Sequence, residues 1–520
     1  MSGTRVMLRS WPNLIFCRNY CNVISAKSAK FLWGEYERMK ELLSESSMAP
    51  IVNPKAVFAN NELNMGSIDV YGFDYDYTLA VYKKTLNNLI YEFGRERLIQ
   101  DFKYPAGLKE MTYDPLFAVR GLHYDIERCI LLKLDAFCQL QLGTAYRGKV
   151  KLSDEEVRNI YNGLYVPRNY IESDTAEERM KQLLDLFSLP DIGLLTNVVE
   201  YFQKNGIDFD TKAMFNDVQM AIRQVHFSGE LYKAVGNNLE KYIHNNPGML
   251  PFFERLQQAK KTVFLVTNSP FPFMNAGMTY LLGADWRRLF KYIIVMAKKP
   301  QFFTDAKKPF RLYREEINRL SWEKVGDLKP DQIYAEGNLE AFLRQSNIGK
   351  KNVLYFGDHM YSDLAEPMLR LGWRTGAIVP ELEKEIETQN TDLYRTSISW
   401  LVGLTWLIER YEDGTRGSLE SEAVVRAWHD ERLGLMHRLK SMFNPQFGSI
   451  FRTFHHPSYF SRRLMRLADI YTSKLPNLLQ YSVEHTFYPR RFALAHEAHV
   501  GVPTMALRSS VTAAAASTGA

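Results

Sequence analysis

Residues 68–78 read Ile-Asp-Val-Tyr-Gly-Phe-Asp-Tyr-Asp-Tyr-Thr. An apolar run, 68–73, breaks off into two carboxylates, Asp74 and Asp76, with Thr78 just beyond. Short runs rich in β-branched and aromatic residues read as buried strands, and the polar residues after them mark the exit from a sheet. Three further runs repeat the arrangement. Residues 262–266 (TVFLV) lead into Thr267-Asn268-Ser269, 292–295 (YIIV) precede Lys299, and 353–356 (VLYF) open into Gly357-Asp358, with Asp363 five residues on. A fifth run, 375–379, follows Arg374. Helical spacing between the runs makes the expected fold α/β, with a Rossmann-like parallel sheet as its core. In such sheets ligands bind beyond the carboxyl ends of the strands, where all of these polar groups fall.

Nearly two hundred residues, 80–261, separate the first two strands. A plain crossover needs about a dozen plus a helix. The excess predicts an inserted, mainly helical cap over about 81–244, between core pieces at 50–80 and 245–400. Helical spacing is visible at 86–102, 153–161, 175–187 and 231–242. Residues 382–442 read as charged amphipathic helix, broken around 414–417, and open a helical C-terminal extension over about 400–500. The Ala/Ser/Thr-rich end, 501–520, is expected to be disordered.

Composition limits the function. The chain has 520 residues, 46% of them hydrophobic, enough for a large core. Its 65 basic and 59 acidic residues nearly balance, which argues against a nucleic-acid binder. Four cysteines (Cys17, Cys21, Cys129, Cys138) form no C-x-x-C pair, so reduced thiols are expected rather than a disulfide framework or a structural zinc. No stretch reaches the ~18 apolar residues of a membrane span. The first forty residues carry Arg5, Arg9, Arg18, Lys27 and Lys30 with no acid before Glu35, the composition of a mitochondrial transit peptide. Mitochondrial targeting is therefore the expectation, and a cytoplasmic location with an unstructured basic terminus is the alternative.

The polar groups at the strand ends form a chemical set. Two carboxylates two residues apart, such as Asp74 and Asp76, can divide one reaction: one attacks and the other moves protons. Thr267, Asn268 and Ser269 are small donors suited to a phosphoryl oxygen, although a helix cap would also explain them. Lys299 can offset charge on a transferring phosphoryl group. Asp358 and Asp363 are oxygen ligands for a hard divalent cation. Each motif alone could be a turn or a surface residue; four in order at four strand ends are harder to explain that way.

The matching segments are GFDYDYTLAVY (72–82), YDPLFAVRGL (113–122), FLVTNSPF (264–271), KKPQFFTD (298–305) and YFGDHMYSDL (355–364). GWRTGAIVPEL (372–382), FGSIFRTF (447–454) and ADIYTSKLPNLL (468–479) extend them over roughly 50–500. Together they resemble the haloacid-dehalogenase superfamily, and within it the cytosolic purine 5′-nucleotidase family of 5′-nucleotidase domain-containing proteins. The resemblance implies an Mg2+-dependent hydrolase of nucleotide metabolism that acts on a small phosphate ester, with a homo-oligomer as the expected assembly. It implies Asp74 as nucleophile, Asp76 as general acid and base, and Thr267 and Lys299 on the phosphoryl oxygens. Mg2+ would be held by Asp74, the Asp76 main-chain carbonyl and Asp358, with Asp363 in support. Asn268, Phe187, His226 and Arg223 would face the substrate, His226 having a packed cap histidine as its plain alternative.

The cap departs from the family pattern. Gln219 stands for an Arg, Arg223 for an Asp, Tyr232 for a Lys, Phe227 for a Tyr and Ser188 for an Asn. Arg223 thus reverses a charge where the base should bind, so inosine and guanosine monophosphates are not the expected substrates. A nucleoside 5′-monophosphate leads. Another phosphate ester, or a regulatory partner-binding role with little turnover, are the alternatives.

Overall fold

A computed structural model describes residues 27–45, 51–171 and 176–491. They fall into two compact units, one comprising 52–388 with 440–489, the other drawing on 27–51 and 389–439.

The larger unit is built on a ten-stranded sheet. Seven strands are parallel, in the spatial order Ile470–Thr472, Arg374–Ile378, Val353–Gly357, Val70–Phe73, Thr262–Val266, Tyr292–Val295 and Ile333–Glu336. Antiparallel strands close both edges: Phe58–Ala59 beside Ile470–Thr472, and the hairpin Phe310–Arg314 with Arg319–Leu320 beside Ile333–Glu336. All five expected strands are present. Val70–Phe73 is central, with every residue buried, because helices cover both faces of a parallel sheet. Its register pairs Phe73 with Phe356 on one side and Leu265 on the other, which brings Asp74, Thr267 and Asp358 to one edge.

Two of the parallel strands were not expected. Ile470–Thr472 lies in the stretch read above as helical extension, and residues 440–489 belong to the core unit. Only helix Tyr459–Leu467 and short turns there are helical. A three-residue strand with Ile470 buried against a sheet edge carries almost no periodic signal.

The inserted segment contains helices Lys84–Gln100, Asp154–Tyr161, Ser188–Lys204 and Thr211–Phe227, as its helical reading requires. It also holds a five-stranded antiparallel sheet in the order Val150–Lys151, Tyr146–Arg147, Ile130–Leu132, Leu122–Asp125, Met180–Leu183. The helical reading of 175–187 is thereby corrected: Met180–Leu183 pairs along Leu122–Asp125, where Met180 and Leu183 bury their side chains. Pairing across sixty residues outweighs a local helical preference.

In the smaller unit, helices Ala29–Glu45, Asp392–Tyr411 and Leu419–Ser441 bury Leu32, Tyr36, Leu404, Leu407 and Trp428 together. Glu431 accepts hydrogen bonds from Tyr36 Oη (2.7 Å) and Trp400 Nε1 (2.8 Å). Residues 29–40, counted above with the leader, thus belong to a packed helix whose Leu32, Tyr36 and Met39 recur at helical spacing. Residues 1–26 and 492–520 lie outside the described residues, and with them most of the expected transit peptide and the whole tail. No helix among the described residues is long and apolar enough to cross a membrane.

Candidate active site

Asp74 continues its strand by one hydrogen bond, donating its N–H to the Phe356 carbonyl (2.9 Å), and so stands at the strand end with its carboxylate buried. The chain then folds on itself. The N–H groups of Leu79 and Ala80 both reach the Tyr75 carbonyl at 2.9 Å, and Tyr77 takes a left-handed conformation (φ 52°). This tight turn sets Asp76 beside Asp74. Asp76 Oδ1 accepts from Tyr82 Oη (2.6 Å) and Oδ2 from Ser269 Oγ (2.7 Å), which orients the carboxyl group.

Lys299 enters from the loop after strand Tyr292–Val295. Its Nζ lies 2.6 Å from Asp74 Oδ1 and 2.5 Å from Asp363 Oδ1, one buried cation between two carboxylates. Asn268 fixes it from behind: Asn268 Nδ2 donates to the Lys299 carbonyl (3.1 Å) and Asn268 Oδ1 accepts the Lys299 N–H (2.6 Å). The Asn268 amide is thus engaged with the main chain of Lys299. Thr267 is fully buried, and its Oγ1 accepts the Ser269 N–H (3.0 Å).

The third wall is the loop after Val353–Gly357. His359 Nδ1 accepts the N–H groups of Tyr361 (3.2 Å) and Ser362 (3.1 Å), capping a π-helical turn, Met360–Ala365, that carries Asp363 back over Gly357. A Cβ on Gly357 would stand 2.3 Å from Asp363 Cβ, so only glycine permits this approach. Ligand atoms of Asp74, Asp358 and Asp363 all lie within 4.8 Å of one another.

Charges this close govern the protonation of the site. Burial pushes the Asp74 carboxyl up to about 8; Lys299 opposes the shift, while Asp363 and Asp76 add to it. Burial also lifts Asp76 above the ordinary carboxylate range, against the hydrogen bonds from Tyr82 and Ser269. Asp358 is raised well above that range by burial, then by Asp363 and Asp74, with Arg120 opposing. Burial works against the charge of Lys299, but Asp363 and Asp74 outweigh it and hold the ammonium well above its usual value. Three buried carboxylates facing one lysine form an oxygen donor set that fits a hard divalent cation.

Of the expected substrate contacts, Phe187 meets the turn after Asp74. Phe187 packs edge-on against Tyr77 (4.9 Å) and His226 (5.6 Å), and its ring also lies 6.3 Å from Tyr82. His226 packs on Phe187, and burial lowers its pKa, with Asp185 opposing. Arg223 is exposed one helical turn beyond Gln219. Gln219 donates to Asp191 Oδ2 (3.2 Å), whose carboxyl burial pushes up to about 7. The sequence reading gave no role to Tyr82, Asp191 or Arg120; Tyr82 reaches back six residues to Asp76, whereas Asp191 and Arg120 meet partners in distant segments.

A model of the 5′-nucleotidase family matches residues 57–499. The chain belongs to that family. Membership places it among hydrolases acting on phosphoric monoesters. The chain is 47% identical over 472 residues to 5′-nucleotidase domain-containing protein 2 of Rattus norvegicus, covering 90% of this chain and 85% of that one. It is 48% identical over 450 residues to the protein of that name from Homo sapiens, covering 86% of each. A 5′-nucleotidase domain-containing protein of Dictyostelium discoideum is 37% identical over 460 residues, 87% of this chain and 76% of its own.

Proposed function

We propose that this 5′-nucleotidase-family chain hydrolyses a nucleoside 5′-monophosphate through an aspartyl-phosphate, with Mg2+ as cofactor. The observation that carries the proposal is the buried pair Asp74 and Lys299, 2.6 Å apart, with Asp76 oriented beside them by Tyr82 and Ser269. Asp74 Oδ attacks phosphorus while Lys299 Nζ balances charge on the phosphoryl oxygens. The bond to the 5′-oxygen breaks, and Asp76, held in the direction a proton donor needs, protonates that oxygen. Asp76 then takes a proton from the water that releases phosphate and restores Asp74. Bound between Asp74, the Asp76 carbonyl and Asp358, Mg2+ would supply positive charge to the phosphoryl group. Thr267 and Asn268 hold the loops that present these groups.

A different phosphate ester is the second reading, and one contact favours it. Gln219 is turned to Asp191, and Arg223 is exposed, so the cap offers a polar pattern unlike that implied for a 6-oxopurine. A site that hydrogen-bonds its substrate rejects analogues that leave its polar groups unpaired. Phosphate release from a panel of nucleoside monophosphates and sugar phosphates, with Mg2+ and with chelator, separates the two readings. The proposal fails if no nucleotide in that panel is hydrolysed faster than the sugar phosphates.

The raised carboxyls give a pH signature. Asp74 has a folded pKa of about 8 against an ordinary 3.8. The metal-free fold therefore binds more protons than the unfolded chain across that window and loses stability as pH rises through it. A cation takes the proton's place. Mg2+ binding should release about one proton at pH 7 and tighten from pH 6 to 8. Calorimetry in two buffers of different ionisation enthalpy reads the release; identical heats in both would contradict it.

A further inference from the structure

One arginine of the inserted segment is spent inside the core. Arg120 is 1% exposed and directly precedes cap strand Leu122–Asp125. Its guanidinium donates to the main-chain carbonyl of Asp358 (Nη1, 3.3 Å) and to Glu381 Oε2 (Nη2, 2.7 Å). Its plane lies 4.8 Å from the Phe460 ring, while Nε is buried without a partner. Gly121 makes the turn possible: its φ is +91°, and a Cβ there would meet Phe460 Cβ at 2.8 Å.

We infer that Arg120 is a positioning residue for the divalent cation, acting through Asp358. This rests on the metal reading proposed above. A buried arginine that served only to tie two segments could be satisfied by Glu381. Arg120 divides its fork between that carboxylate and the backbone of a residue whose side chain faces Asp74 and Asp363 within ligand distance. Anchoring that carbonyl fixes the rotation of the peptide from which the Asp358 carboxylate projects. It also places a second positive charge close enough to oppose the raised pKa of Asp358. A planar fork reaches two acceptors from two separate nitrogens held at a fixed distance, whereas an ammonium presents one nitrogen at one point, so lysine is not an equivalent replacement. Groups that orient a metal ligand from behind typically contribute ten- to a hundredfold to metal affinity. The inserted cap thereby supplies one element of the metal site, although all three carboxylates belong to the core.

Titrating Mg2+ alone into the full chain by calorimetry tests this, because the readout needs no turnover. Arg120→Lys should weaken Mg2+ binding by about tenfold or more while the protein stays folded. With p-nitrophenyl phosphate and saturating Mg2+, its KM should stay within about twofold of wild type, since the defect is one of metal affinity. Glu381→Ala, at a half-buried position, frees the other end of the fork and should weaken Mg2+ binding by about threefold or more. A folded Arg120→Lys that binds Mg2+ as tightly as wild type overturns the inference. If that variant does not fold, unchanged affinity in Glu381→Ala overturns it instead. A wild type that binds no Mg2+ removes the metal reading and this inference together. A wild type that binds Mg2+ but turns nothing over sinks only the hydrolase proposal, and the variants' affinities still decide the role of Arg120.

Discussion

Asp74→Asn should abolish phosphate release, lowering kcat by on the order of 10⁴-fold or more, as loss of a covalent nucleophile does. The substitution is nearly isosteric, so the strand end and its hydrogen bond to the Phe356 carbonyl should persist. What disappears is the nucleophilic oxygen, together with a negative charge that the site tolerates poorly. Asp74 is buried among Asp76, Asp358 and Asp363 and faces Lys299 alone as counter-ion. The metal-free variant should accordingly melt no lower than wild type at pH 8, because the cost of ionising Asp74 has gone. Inactivity joined to undiminished stability separates a lost nucleophile from a damaged fold. Turnover within tenfold of wild type would rule out an aspartyl-phosphate on Asp74 and point to direct attack by water.

Gly357→Ala should be nearly as damaging, although it adds one methyl group to a residue with no chemistry. The new Cβ would fall 2.3 Å from Asp363 Cβ and 2.7 Å from Asp363 Cγ, so Asp363 must move. Asp363 Oδ1 holds Lys299, and Oδ2 accepts the His359 N–H (3.3 Å) at the head of the loop that follows Asp358. Displacing it shifts the lysine that faces Asp74 and loosens the loop that carries Asp358. A misplacement of about 1 Å in a catalytic constellation can cost on the order of 10²-fold. We expect a loss of that size in kcat/KM and weaker Mg2+ binding, with secondary structure retained because alanine suits a strand end. Wild-type kcat/KM in Gly357→Ala would show that the approach of Asp363 to the strand is not needed for function.

The motif residues were legible in the sequence because each follows an apolar run long enough to register as a strand. Asp74, Thr267 and Asp358 sit at the strand ends where that reading put them, since the parallel register is set by buried side chains on both faces. Lys299 was legible by position and chemistry but not by its partners. Its two partners lie 225 and 64 residues away, and Asn268, expected to face the substrate, is engaged with its main chain. The cap was harder. Its strands run two to four residues, too short for alternation to show, and its edge pairing of Met180–Leu183 with Leu122–Asp125 joins segments far apart in the chain.

By itself the sequence determined the candidate site residues, the strands that present them, and the family. These depend on local runs and on residue identity. Tertiary structure alone decided the contacts that make those residues a site: the Asn268 clamp on Lys299, the approach of Asp363 to Gly357, and the reach of Arg120 from the cap to Asp358. Each depends on packing between segments far apart in the chain, and burial makes each pairing necessary. A charge or amide removed from water must find its partner wherever the fold has placed one.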